Sequence, residues 1–110
     1  MDSQAVKNKA SISYDEVMIK KLRKDPAFAA EYLKAAMEDT DEPKVLLIAL
    51  RHLAQAKGGI AKVAKAAHVE RESLYRALSL RGNPRLSTLL AVTKALGLML
   101  TVEAARPADS

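Results

Sequence analysis

From Ile60 to Ser79 the apolar residues fall where two short helices crossing at a steep angle need them, and this spacing constrains the chain more than any other feature. Such a crossing requires small side chains at the closest approach and apolar ones on the facing turns. Val63 and Ala67 supply the inward face of the first helix, and Leu74, Ala77 and Leu78 that of the second. Val69 is the buried residue of the turn, and Ala64 stands where the axes come closest. His68 takes a turn position at which glycine is usual, because the backbone there needs positive φ; histidine tolerates it at some cost. Glu70 is a weaker N-cap than Ser or Thr, although its charge suits a helix N-terminus. The pattern predicts a helix-turn-helix with helices over about 60–67 and 70–80.

Further helices are predicted on either side. Residues 1–12 are polar without periodicity and are expected as a mobile tail. Ser13 and Glu16 have the spacing of a capping box, opening a short helix from Tyr14 to about Leu22. Asp25-Pro26 opens the next, since Asp caps and Pro suits the first helical position. Phe28, Ala29, Tyr32, Leu33, Ala36 and Met37 give it one apolar face, and the acidic run Glu38-Asp39, Asp41-Glu42 ends it. Pro43 repeats the device ahead of the stripe Val45, Leu46, Ala49, Leu50, Leu53, Ala54, and Gly58-Gly59 stops that helix. A last helix is expected over 87–96, with Ser87 as its cap and Gly97 as its end. Beyond it Leu98, Leu100 and Val102 alternate with Met99, Thr101 and Glu103, the period of a half-buried strand. That segment either pairs with another chain, joining a homodimer, or lies along its own core. Residues 105–110 are expected as a disordered tail.

Composition narrows the function classes. With 49% hydrophobic but only 4% aromatic residues, the core must be aliphatic, which favours helices. The chain has no Cys, so disulfides, a thiol nucleophile and Cys-type zinc sites are excluded, and a cytoplasmic location fits. No apolar run is long enough to span a bilayer, and the N-terminus lacks the apolar region of a signal peptide. Charge is uneven: residues 1–42 hold 7 Lys/Arg against 9 Asp/Glu, a net −2, whereas residues 43–110 hold 11 against 4, a net +7. A basic C-terminal part attracts a polyanion, although a solvated basic surface is the plain alternative.

The outward face of the second helix of the unit carries Arg71, Glu72, Ser73, Tyr75, Arg76 and Ser79. Arg pairs with guanine, Glu accepts from cytosine, and Tyr and Ser reach phosphates or bases. Arg81, Asn83 and Arg85 follow in a loop suited to hold the DNA backbone. An exposed polar face with no ligand is the competing reading.

The run GGIAKVAKAAHVERESLYRALSLRGNPRLSTLLAVTKALGL, preceded by KDPAFAAEYLKAAMED, resembles the Xre-type helix-turn-helix antidotes (antitoxins) of chromosomal addiction modules, which partner RelE/ParE-like toxins. The likeness covers about Tyr14 to Val102. It implies an all-α, lambda-repressor-like bundle of about five to six helices with a short C-terminal β-strand. It further implies an antitoxin that binds and neutralises a small basic toxin and represses its own operon by binding double-stranded operator DNA. Arg71, Glu72, Tyr75 and Arg76 match recognition-helix positions. Residues 13–42 are then an N-terminal helical extension offering a toxin contact, and 43–104 the DNA-binding domain.

A stand-alone regulator without a toxin is the alternative, and a pure interaction module a third reading. An enzyme is not expected: His52 and His68 lie in different contexts without carboxylates at ligand spacing, and Ser73 and Ser87 have no paired base. Gly58-Gly59 lacks the Lys-Ser/Thr of a phosphate loop, so no cofactor or metal is expected.

Overall fold

The computed structural model describes residues 15–38 and 41–105, and these form six helices. In chain order they are α1 (described over residues 15–24), α2 (Pro26–Glu38), α3 (Pro43–Ala56), α4 (Ile60–Ala67), α5 (Arg71–Ala77) and α6 (Leu86–Ala95). The capping pair Ser13 and Glu16, the expected N-terminal tail, Asp39 of the acidic run and residues 106–110 fall wholly or partly outside the described residues.

Both proline starts are where local chemistry puts them. The Phe28 N–H donates to Asp25 Oδ1 over 3.0 Å, and Pro26 follows as the first helical residue. Pro43 opens α3 likewise, behind a Glu42 that makes no side-chain cap. The N-termini of α4, α5 and α6 also lack side-chain caps. These helices are short, and helices of this length are marginal alone in water, so packing must hold them.

One core supplies that packing. Leu50, Leu74, Leu78, Val63 and Val92 are its largest fully buried side chains, drawn from α3, α5 and its C-terminal turn, α4 and α6. Leu22 of α1 and Ala29 and Leu33 of α2 belong to the same cluster, so the N-terminal extension is continuous with the rest. The Arg23 Nε donates to the Ala56 carbonyl over 2.9 Å, which ties α1 to the C-terminal end of α3. The Tyr32 hydroxyl and His52 Nδ1 lie 2.7 Å apart and join α2 to α3, with Asp15 of α1 at 3.9 Å from His52 Nε2.

Three helices end by one device. After α3, the Gly58 N–H donates to Gln55 and the Gly59 N–H to Ala54. After α4, His68 donates to Lys65 and Val69 to Ala64; after α6, Gly97 donates to Lys94 and Leu98 to Thr93. Each is a Schellman closure around a residue in positive φ. Gly58 and Gly97 reach φ of 109° and 79°, and His68 adopts φ 58°, ψ 42°. The sequence expectation for His68 therefore holds, and it is the one non-glycine with positive φ among the described residues.

The expected C-terminal β-strand is absent among the described residues. Residues 98–105 carry no strand, Leu98 and Leu100 are half-buried, and Val102 is 92% exposed. Alternation is a local signal, but a strand exists only by pairing, and among the described residues no strand lies beside these. The last helix also differs from expectation. It begins at Leu86 with Arg85 at the N-cap, extended at φ −69°, ψ 156°, so Ser87 lies inside the helix and does not cap it. Burial of Val92 and Leu96 sets this register more strongly than a hydroxyl at the helix start.

His68→Gly should raise stability by about 1 kcal/mol, since it removes the Cβ clash of a left-handed residue while keeping the same closure. Urea unfolding followed by circular dichroism should show a higher midpoint with an unchanged slope.

Candidate nucleic-acid interface

The surface begins at the crossing of α4 and α5. Ala64 is almost fully buried and lets the two helices approach, while Leu74 and Leu78 turn α5 onto the core. The turn at 68–70 is short because the closure at His68 reverses the chain in one residue. Val69 is half-buried and packs against the core, as its turn position requires. The arrangement is compatible with a helix-turn-helix bundle.

The outer face of α5 follows from this docking. Arg71, Glu72, Tyr75 and Arg76 are exposed together on it. Ser73 is half-buried, and its hydroxyl donates to Glu70 Oε1 over 2.8 Å. Ser79 is exposed, but its hydroxyl donates to the Arg76 carbonyl over 2.8 Å and closes the helix end. Both serines thus spend their protons on the protein, leaving only their oxygens as acceptors for a ligand. Arg81 and Asn83 are exposed in the loop before α6, with Arg85 at the N-cap of that helix.

The helix itself is shorter than the 70–80 expected, ending at Ala77. Its end is fixed from a distance. The Arg51 Nη1 of α3 donates to the Leu78 carbonyl over 3.0 Å, so a guanidinium satisfies one of the open carbonyls. The chain then folds back on itself, with the Gly82 N–H donating to the Ser79 carbonyl over 2.8 Å. A Cβ at Gly82 would lie 2.0 Å from the Ala77 carbonyl oxygen, so this loop admits no side chain there. Neither Arg51 nor Gly82 was singled out from the sequence. The only signal for Gly82 was its place in the GNP element; for Arg51 none was visible.

The span that holds α4, α5 and the loop after them is basic. Between residues 60 and 85 there are six Lys/Arg, namely Lys62, Lys65, Arg71, Arg76, Arg81 and Arg85, against two carboxylates, Glu70 and Glu72. All six cations are exposed, and among the described residues none of them makes a salt bridge. Unpaired guanidinium groups on a convex helix face can engage phosphates and base edges. No group of three or more His, Asp or Glu that could hold a metal occurs among the described residues, and no helix there is long and apolar enough to cross a membrane.

The family described as "Probable addiction module antidote protein" matches over residues 13–104. The chain belongs to this antidote family. The match takes in all six helices. A Haemophilus influenzae protein, described as uncharacterized, is 37% identical over 75 residues, which cover 68% of the antidote and 75% of that relative. No solved structure matches the antidote.

Gly82→Ala should destabilise the antidote by about 1–3 kcal/mol, the usual cost of forcing an atom into filled space. Denaturant unfolding of the two proteins measures the difference, and Asn83→Ala, one residue away and exposed, serves as the control expected to stay close to the parent.

Proposed function

We propose that this antidote neutralises a small toxin by direct binding and represses its own operon by laying α5 in the major groove of operator DNA. Family membership supports the antitoxin half of this reading. The DNA half is carried by one observation: the outer face of α5 presents Arg71, Glu72, Tyr75 and Arg76 together, and neither arginine is held in a salt bridge among the described residues. With 7 residues α5 is about 10 Å long, a size that the major groove admits. Arg71 and Arg76 are the candidates for base edges, and Arg81, Asn83 and Arg85 for phosphates. Ser73 and Ser79 are demoted to secondary contacts because their protons are already given. The activity is binding and not catalysis, and it takes place in the cytoplasm, where the operator lies. The sequence resemblance adds an Xre-type regulator and a RelE/ParE-like toxin to the same reading. A stand-alone regulator fits the interface equally well, but the antidote family favours a toxin partner.

Replacing Arg71 and Arg76 by Ala together should cost about 1–3 kcal/mol for each base-reading arginine and lower the salt dependence of binding. Titrations against the DNA upstream of the gene, at several salt concentrations, read both quantities. Unchanged affinity with an unchanged salt slope would refute the interface.

The active form is a homodimer, because two copies of α5 about 34 Å apart match successive major grooves of a palindromic site. The interface originally suggested by the C-terminal alternation is better sought on α6. There Leu86 is 68% and Leu90 48% exposed, one turn apart. Light scattering should find a dimer in the parent and a folded monomer in Leu86→Glu/Leu90→Glu. A dimeric variant moves the interface elsewhere, and a monomeric parent removes the dimer.

A further inference from the structure

Beyond α6 the chain runs extended across α2, and the two enclose a groove of about 650 Å³. Its apolar lining comes from Leu33 and Met37 of α2 and from Leu98 and Leu100 of the extension, with Ala30 and Ala105 opening its flanks. Among the described residues the one side-chain hydrogen bond between the extension and α2 is that of the Lys34 ammonium, which donates to Glu103 Oε2 over 3.2 Å. That contact holds Lys34 above its ordinary range, through its hydrogen bond to Glu103 first and the charge of Glu103 second. Among the described residues the backbone of 99–105 makes no hydrogen bond to other backbone. The groove thus has an apolar floor on one side and backbone groups without backbone partners on the other, the two requirements for accepting an added strand.

Charge selects the occupant. Glu31, Glu38 and Glu103 border the groove and Lys34 is the one cation among them, a net −2 on a chain whose total is +5. A second copy of the same segment would bring two such rims together across a two-fold axis, like charge against like. A segment carrying Lys or Arg meets no such opposition.

We propose that this groove holds an extended segment of the protein that the antidote neutralises, with apolar side chains at alternate positions and Lys or Arg between or beside them. The segment adds as a strand to the open edge of 99–105. Its alternate side chains fall into the space between Met37 and Leu100, and its cations reach Glu31 and Glu38. This assignment rests on the antitoxin reading above and gives it a surface, on the side formed by α2 and the extension and distinct from the residues of α5.

The test uses the full chain co-expressed with the product of the reading frame adjacent to its gene, captured through a tag on the antidote. Two variants are compared with the parent: Glu31→Lys/Glu38→Lys, which reverses the rim, and Thr101→Pro, which removes one backbone donor from the exposed edge. Each should weaken capture of that product by about tenfold or more, while circular dichroism and binding to the upstream DNA stay those of the parent. Undiminished capture by both folded variants overturns the groove as the contact and leaves the antitoxin reading standing. Failure of the parent itself to capture the product overturns that reading and the groove with it. Should light scattering show a dimeric parent and a monomeric Thr101→Pro, the groove belongs to a second copy and the proposal is overturned in that direction.

Discussion

The fold depends on where its helices stop. None of the five helices with defined limits exceeds 14 residues, and only α2 has a side-chain cap at its N-terminus. An α-helix leaves its last carbonyls without partners, and in a bundle this small those carbonyls sit against neighbouring helices. Two kinds of donor meet them. Backbone amides do so at the closures of Gly58, His68 and Gly97. Guanidinium groups do so where Arg23 reaches Ala56 and Arg51 reaches Leu78. The second kind also locks one helix to another, because donor and acceptor come from different elements. Through Arg51, the exposed face of α5 is fixed in direction by α3, a helix that contributes nothing to that face.

The same economy places two surfaces on one core. Leu33 of α2 packs into the cluster that contains Leu50 and Leu74, while Lys34 beside it points outward to the C-terminal extension. The exposed side of α5 and the groove along α2 are therefore built on one cluster of leucines. Neither surface stands on a separate domain. Removing residues before Pro43 would strip Leu22, Ala29 and Leu33 from the cluster and uncover the α3 side chains beneath them.

What could be seen in the sequence was what short-range chemistry decides. Asp25-Pro26 and Pro43 announced their helices because a proline at the first position acts within one turn. Gly58, His68 and Gly97 announced their ends because positive φ belongs to a single residue. Ala64 and Leu74 could be placed because the crossing of α4 and α5 spans only a dozen residues. The failures in the backbone's course were at longer range. The C-terminus of α5 was set by Arg51, 27 positions away from Leu78. The start of α6 was set by what Val92 and Leu96 bury, so the hydroxyl of Ser87 proved a misleading cue. The alternation from Leu98 to Glu103 was real in its first half, yet pairing is a property of two strands and one segment cannot declare it. Within the candidate interface, the exposure of Arg71, Glu72, Tyr75 and Arg76 was legible from helical spacing. The engagement of Ser73 by Glu70 was not, because it depends on a rotamer.

Gly82 separates shape from chemistry in the loop after α5. Its lack of a side chain lets the backbone pass against the Ala77 carbonyl, and its own amide anchors the turn on Ser79. Arg81 and Asn83 on either side point into solvent and carry none of that geometry. The two kinds of position consequently face different pressures under mutation. The path of the loop is locked at one residue, and its neighbours can be exchanged without moving the frame. A lineage of such proteins can thus drift in what this loop touches while inheriting the loop itself intact.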